Sequence, residues 1–159
     1  MYRNGLLLAC WGMLLFVVGL VAEEPKAVKH EAFDGYFVSN KFEPDAAESF
    51  VVVRDQTKFD AIFGVAFVMG DKSHRLPPEA FATQMVIGVI KRGMATYDFQ
   101  VTKVVQQAGE LEVHYSAAVT PQVGATFASP LILGIPKQAY KTIKFVEGEK
   151  VVKTWKLND

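Results

Sequence analysis

The sequence predicts a mostly β fold: antiparallel strands in a curled or sandwich-like arrangement, with one helix packed on a face. Three observations predict it. "QMVIGVIKR" (84–92) and "PLILGIP" (130–136) are apolar on both faces, as central strands covered on two sides are. Between them, Tyr97, Phe99 and Val101, then Leu111, Val113, Tyr115 and Ala117, alternate with polar residues. That is the period of strands with one wet face. The connections are mostly tight, and tight connections join antiparallel neighbours because parallel pairs need long crossovers.

Taken in order, the chain opens on "MYRNG", which carries Arg3, and then runs apolar from Leu6 to Ala22 before the polar "EEPK". This three-part pattern predicts a secretory signal peptide at 1–22, cleaved after Ala22; the same stretch retained would be a membrane anchor. Cys10, the one cysteine, lies inside that run with twelve further residues after it. A lipidated cysteine should end the apolar stretch, so Cys10 reads as a small apolar side chain. The exported part then has no cysteine, which excludes disulfides, thiol nucleophiles and thiolate zinc sites.

Residues 23–34 are polar and charge-rich and read as a tether, and 35–159 as a single β-rich domain. "GYFVSNKF" (35–42) predicts a short strand and "ESFVVVRD" (48–55) a stronger one. In "DQTKFDAIFGVA" the period changes: Phe59, Ile62, Phe63 and Val65 lie at helical spacing, with Asp55 as N-cap. Glycine and two prolines make 69–81 a loop, with a short helical turn expected from Pro77 to Phe81. "GVIKRGMATYDFQVTKVV" (88–105) reads as a core hairpin whose turn carries Lys91, Arg92 and Gly93. A turn at "QQAGE" joins the two alternating strands, 121–129 is loop, and "KTIKFVEGEKVVKTWKL" closes the chain as a hairpin around Gly148.

The chain has 17 lysines and arginines against 17 aspartates and glutamates in 159 residues. Loss of 1–22 removes Arg3 alone and leaves 16 bases against 17 acids. That balance excludes the cationic field a nucleic-acid binder needs, and no polybasic membrane patch is present. His30, His74 and His114 are scattered without zinc-motif spacing, and no glycine-rich phosphate loop occurs. Asp98 and Glu112 could face one side across a hairpin, but on a polar sheet face two solvated charges are the ordinary reading. Ser129 precedes a proline and lacks the context of a serine nucleophile. No catalytic constellation, cofactor or metal site is expected. The basic turn Lys91-Arg92 has the chemistry to meet an acidic partner, although charges at strand ends also discourage aggregation.

The order "MVIGVIKRGMATYDFQVTKVV", "ELEVHYSAAVTP", "FASPLILGIPK" resembles the PrcB-like C-terminal domain, the protease-complex-stability family of exported bacterial proteins. The resemblance covers roughly 50–145 and matches Gly93, Tyr97, Ser129, Pro130, Ile135, Pro136 and Lys137, with Ala95-Thr96 where the family has a double glycine. It implies no catalytic residues. It implies an accessory role in the assembly or stability of an extracytoplasmic protease complex. The expectation is therefore a periplasmic or secreted, non-enzymatic binding domain whose partner is another exported protein. Its candidate binding residues are Lys91, Arg92, Gly93, Tyr97, Ser129 and Pro130. Two other readings stand beside it: a small exported hydrolase using Asp98, His114 and Ser129, and a structural envelope domain anchored by 1–22.

Overall fold

The computed structural model describes residues 23–66 and 74–157. The expected export segment and part of the 69–81 loop lie outside the described residues. In chain order the elements are β1 (Lys26–Ala27), β2 (Glu31–Phe33), β3 (Tyr36–Val38), β4 (Glu48–Val53), α1 (Gln56–Ile62), β5 (Phe63–Val65) and α2 (Ala80–Thr83). Then follow β6 (Gln84–Gly93), β7 (Ala95–Gln107), β8 (Glu110–Pro121), β9 (Phe127–Pro136), β10 (Thr142–Glu147) and β11 (Lys150–Lys156). They make a five-stranded sheet, β1-β7-β8-β10-β11, a four-stranded sheet, β2-β9-β6-β4, and a small β3-β5 pair. The sheets do not close into a barrel.

Burial parity along β6 explains the layering. Met85, Ile87 and Val89 join Leu111, Val113, Tyr115, Ile143 and Phe145 of the five-stranded sheet in one core. Val86 and Ile90 point the other way, into a second core with Phe59, Ile62, Phe63, Phe33 and Val38. The four-stranded sheet is therefore the middle layer, buried on both faces, which is why its two longest strands read as continuous apolar runs. The five-stranded sheet keeps one wet face, which is why β7 and β8 alternate.

The expected hairpin at 88–105 is not one. β6 pairs with β4 on one side and with β9 over its whole length on the other. Both its edges are taken, so β7 pairs instead with β8 and β1 in the other sheet. Met94 alone separates the two strands, and the chain changes sheet at Gly93, whose φ of 149° suits glycine alone. The change from two-sided to alternating burial marks the change of sheet.

Other differences are smaller. The stretch 23–34 is part of the fold: β1 adds to β7 and β2 to β9. Val28 and Phe33 anchor it in the two cores. Two- and three-residue strands are too short for periodicity to reveal. Phe33 also explains Gly134, since a Cβ there would meet the Phe33 ring at 2.6 Å. The helix is capped as expected, with Asp55 accepting from the Lys58 N–H at 2.8 Å, but it ends at Ile62. Phe63 and Val65 belong to β5, which pairs with β3. Antiparallel pairing holds throughout except for β8 and β10, which are parallel. The long connection from 122 to 141, carrying β9 through the middle sheet, makes that possible.

Candidate functional site at the sheet corner

All six expected binding residues fall at the end of the molecule where the chain turns from β6 into β7, but they part to opposite faces of the middle sheet. Lys91 follows Met85, Ile87 and Val89 into the gap between the sheets. Its Nζ lies 2.8 Å from a Glu147 carboxylate oxygen on β10 and 3.3 Å from Glu48 Oε1 on β4. It also sits 5.6 Å over the Tyr97 ring. Only 16% of its side chain is exposed. Burial works against its charge, but the Glu147 and Glu48 carboxylates outweigh that and hold its pKa above the ordinary lysine value. Lys91 is thus an ionic clasp closing one end of the core between the sheets, and its charge is not offered to a partner.

Ser129 opposes Lys91 in the β6–β9 ladder, and its Oγ accepts the Tyr97 N–H at 3.0 Å. This hydroxyl ties the start of β7 to the middle sheet. Pro130 opposes Ile90. β2 covers β9 only over Ile132–Gly134, so the missing N–H of Pro130 falls where the second edge has no strand to serve.

Arg92 turns to the opposite face. Nη1 donates to Ser49 Oγ at 2.7 Å and to the Ala46 carbonyl at 3.2 Å, and Nη2 donates to the Phe42 carbonyl at 2.9 Å. Those bonds pin the loop that leads into β4, and they satisfy Ser49, the buried polar residue of that strand. Burial pushes the guanidinium pKa down, against a weaker opposing pull from Glu43. Beside it opens a cleft of about 290 Å³ whose walls include Val38, Phe42, Pro44 and Phe127.

The hydrolase reading does not assemble. Asp98 opposes Ala118, and His114 opposes Lys103, both on the wet face of the five-stranded sheet. Four positions along β8 separate them, roughly 13 Å. Ser129 lies in the other sheet, on the side facing between the sheets. His114 instead contacts Glu112 Oε2 at 3.0 Å. Asp98 and Glu112 do not meet either, because Glu112 opposes Val105. Among the described residues no histidine, cysteine and carboxylate cluster could hold a metal, and no helix is long and apolar enough to cross a membrane.

The same corner carries a feature that strand prediction could not show. β10 covers β8 only from Glu110 to Tyr115, the last bond being the Gly148 N–H to the Tyr115 carbonyl at 2.9 Å. Among the described residues, Ser116–Pro121 has β7 on one side and no strand on the other. This free edge, "SAAVTP", is uncharged. Close by in the chain, Met94, Val119 and Val123 are 64%, 57% and 98% exposed. β1 pairs with β7 only at Val105 and Gln106, and β2 with β9 only over Ile132–Gly134, so β7 and β9 also have uncovered lengths, but that of β7 carries Asp98 and Lys103 and that of β9 carries Pro130. The outermost strands are blunted. β11 carries Lys150, Lys153 and Lys156, β1 and β2 are two and three residues long, and no residue of β4 is exposed. Alternation in "ELEVHYSAAVTP" could reveal a strand; its unequal coverage is a tertiary property.

The chain is thus a layered β domain with a helix and the small β3-β5 pair outside the middle sheet, and its uncharged uncovered edge among the described residues is Ser116–Pro121. No family model, curated protein or solved structure matches it.

Proposed function

We propose that this chain is an exported, non-enzymatic binding domain that holds a partner protein by pairing an extended segment of it with the free edge of β8. The observation that carries this reading is the uncharged edge Ser116–Pro121, with Met94, Val119 and Val123 exposed near it. Strand addition draws its affinity from main-chain hydrogen bonds and its selectivity from alternate side chains, and an edge without charges leaves that route open. Support for export comes from the signal-like 1–22 stretch. An accessory role in an extracytoplasmic protease complex rests on the motif resemblance around Gly93, Tyr97, Ser129 and Pro130. Their packing argues that these residues support the corner, whereas the edge beside them does the docking.

The test is crosslinked co-purification of the tagged protein from its native cells, comparing the wild type with Val119→Pro, which removes an N–H directed at the free edge, and Val119→Lys. One stoichiometric exported partner, crosslinked to 116–121 and lost from both variants at unchanged melting temperature, is the expected result. A partner retained by both variants removes the edge from the reading. With no partner enriched, the structural envelope reading takes its place. Mass spectrometry of the recovered N-terminus reports on export: Glu23 as first residue marks a cleaved form, Met1 an anchored one.

A further inference from the structure

We propose that the cleft beside Arg92 is a binding site for a carboxylate that bears a small apolar group, a site separate from the β8 edge. The argument begins with charge. The two half-buried lysines face carboxylates, Lys91 with Glu48 and Glu147, and Lys144 with Glu110 and Glu112, whereas half-buried Arg75 donates to the Ala66 carbonyl. Arg92, among the described residues, has no carboxylate within ion-pair distance. Its bonded partners are two carbonyls and a hydroxyl, all neutral, and Glu43 acts on it only from beyond ion-pair distance and less strongly than burial does. A guanidinium keeps its charge at any physiological pH, and a partly desolvated cation with neutral acceptors alone gains from an anion. Two of its donor bonds go to the loop before β4 and one to Ser49 of β4, which leaves N–H capacity on a fork whose orientation those same bonds fix.

The walls specify the rest. Val38, Phe42, Pro44 and Phe127 are apolar, and the mouth carries the small polar groups of Asn40 and Thr126. A cleft of about 290 Å³ lies at the low end for small-molecule sites, which suits a ligand of amino-acid size. One cation with apolar walls fits a carboxylate on an aliphatic group better than a phosphate, which calls for more donors. Such a carboxylate is found on a small organic acid or on the C-terminal residue of a polypeptide. Both present the same chemistry to Arg92.

The experiment is a heteronuclear NMR titration of the exported domain with N-acetyl-leucine, N-acetyl-leucinamide and the tripeptide Gly-Gly-Leu. Saturable shifts at Arg92, Asn40 and Phe127 with N-acetyl-leucine, dissociation constant of the order of millimolar, and none with the amide, are expected. Asn40→Asp and Thr126→Glu set a negative charge at the exposed mouth without touching the Arg92 bonds. Each is expected to weaken binding about threefold at unchanged melting temperature. Tighter binding of Gly-Gly-Leu than of N-acetyl-leucine assigns the site to chain ends; the reverse assigns it to small acids. Absence of saturable shifts with either carboxylate overturns the proposal, as does equal binding of the amide, or variants that bind as the wild type does. Arg92 then serves only to pin the 42–49 loop.

Discussion

Lys91 is where the sequence reading and the structure part most instructively. A lysine beside an arginine after an apolar run suggests a solvated pair in a hairpin turn, yet both residues lie within β6 and stay in its ladder with β9. Alternation along β6 nevertheless sends the two side chains to opposite faces, and what meets each depends on strands 40 to 60 residues away in sequence. Glu48 and Glu147 carry no local mark as the partners of Lys91; they are found only once both sheets are assembled. Replacing Lys91 by methionine keeps the aliphatic stem and leaves two half-buried carboxylates facing each other. We expect a loss of about 2–3 kcal/mol in urea unfolding, below the range for fully buried pairs because the site is partly exposed. Adding Glu147→Gln should recover part of that loss. A Lys91→Met protein as stable as wild type would show that the clasp contributes nothing.

At the scale of elements, the legible features were those encoded within a few residues. Two-sided burial identified β6 and β9, alternation identified β7 and β8, and Asp55 identified the start of α1. The pairing partners were not legible, because a strand's neighbours depend on which edges are already occupied. β6 saturates both of its edges and so expels β7 to the other sheet. The turn between β7 and β8 shows local chemistry imperfectly met. Ala108 and Gly109 both have positive φ, 49° and 80°, as a two-residue hairpin turn with matching twist requires. Alanine tolerates that conformation poorly, whereas asparagine and glycine accept it. Ala108→Asn is therefore expected to raise stability by about 0.5–1 kcal/mol, measured as a shift of the thermal midpoint. A fall in the midpoint would mean that the turn does not hold the left-handed geometry in solution.

The whole molecule places several ionisable groups so that its stability should depend on alkaline pH. Tyr115 lies between the sheets; burial raises its pKa, with Glu147 and Glu48 adding to the effect. Burial raises Tyr140 in the same core. Lys91 is raised by its two carboxylates against the cost of its burial, and Lys144 by its hydrogen bond to Glu110. In each case the folded pKa exceeds the unfolded one, so the folded protein binds more protons above the ordinary values of 10.0 for tyrosine and 10.5 for lysine. Their contribution is thus complete below about pH 10 and is lost as pH rises through the folded values. For a group as buried as Tyr115 the slope approaches about 1.4 kcal/mol per pH unit once the unfolded tyrosine has ionised. Urea melts at pH 8, 9, 10 and 11 should be level over the first two and fall over the last two. Tyr115→Phe separates this group from the rest. The Tyr115 hydroxyl has no hydrogen-bond partner among the described residues, so the phenylalanine variant should lose no bond. It should equal or exceed wild-type stability at pH 8 and decline less steeply above pH 10. An unchanged alkaline slope would place the hydroxyl in contact with solvent and open the end of the sandwich that Lys91 closes.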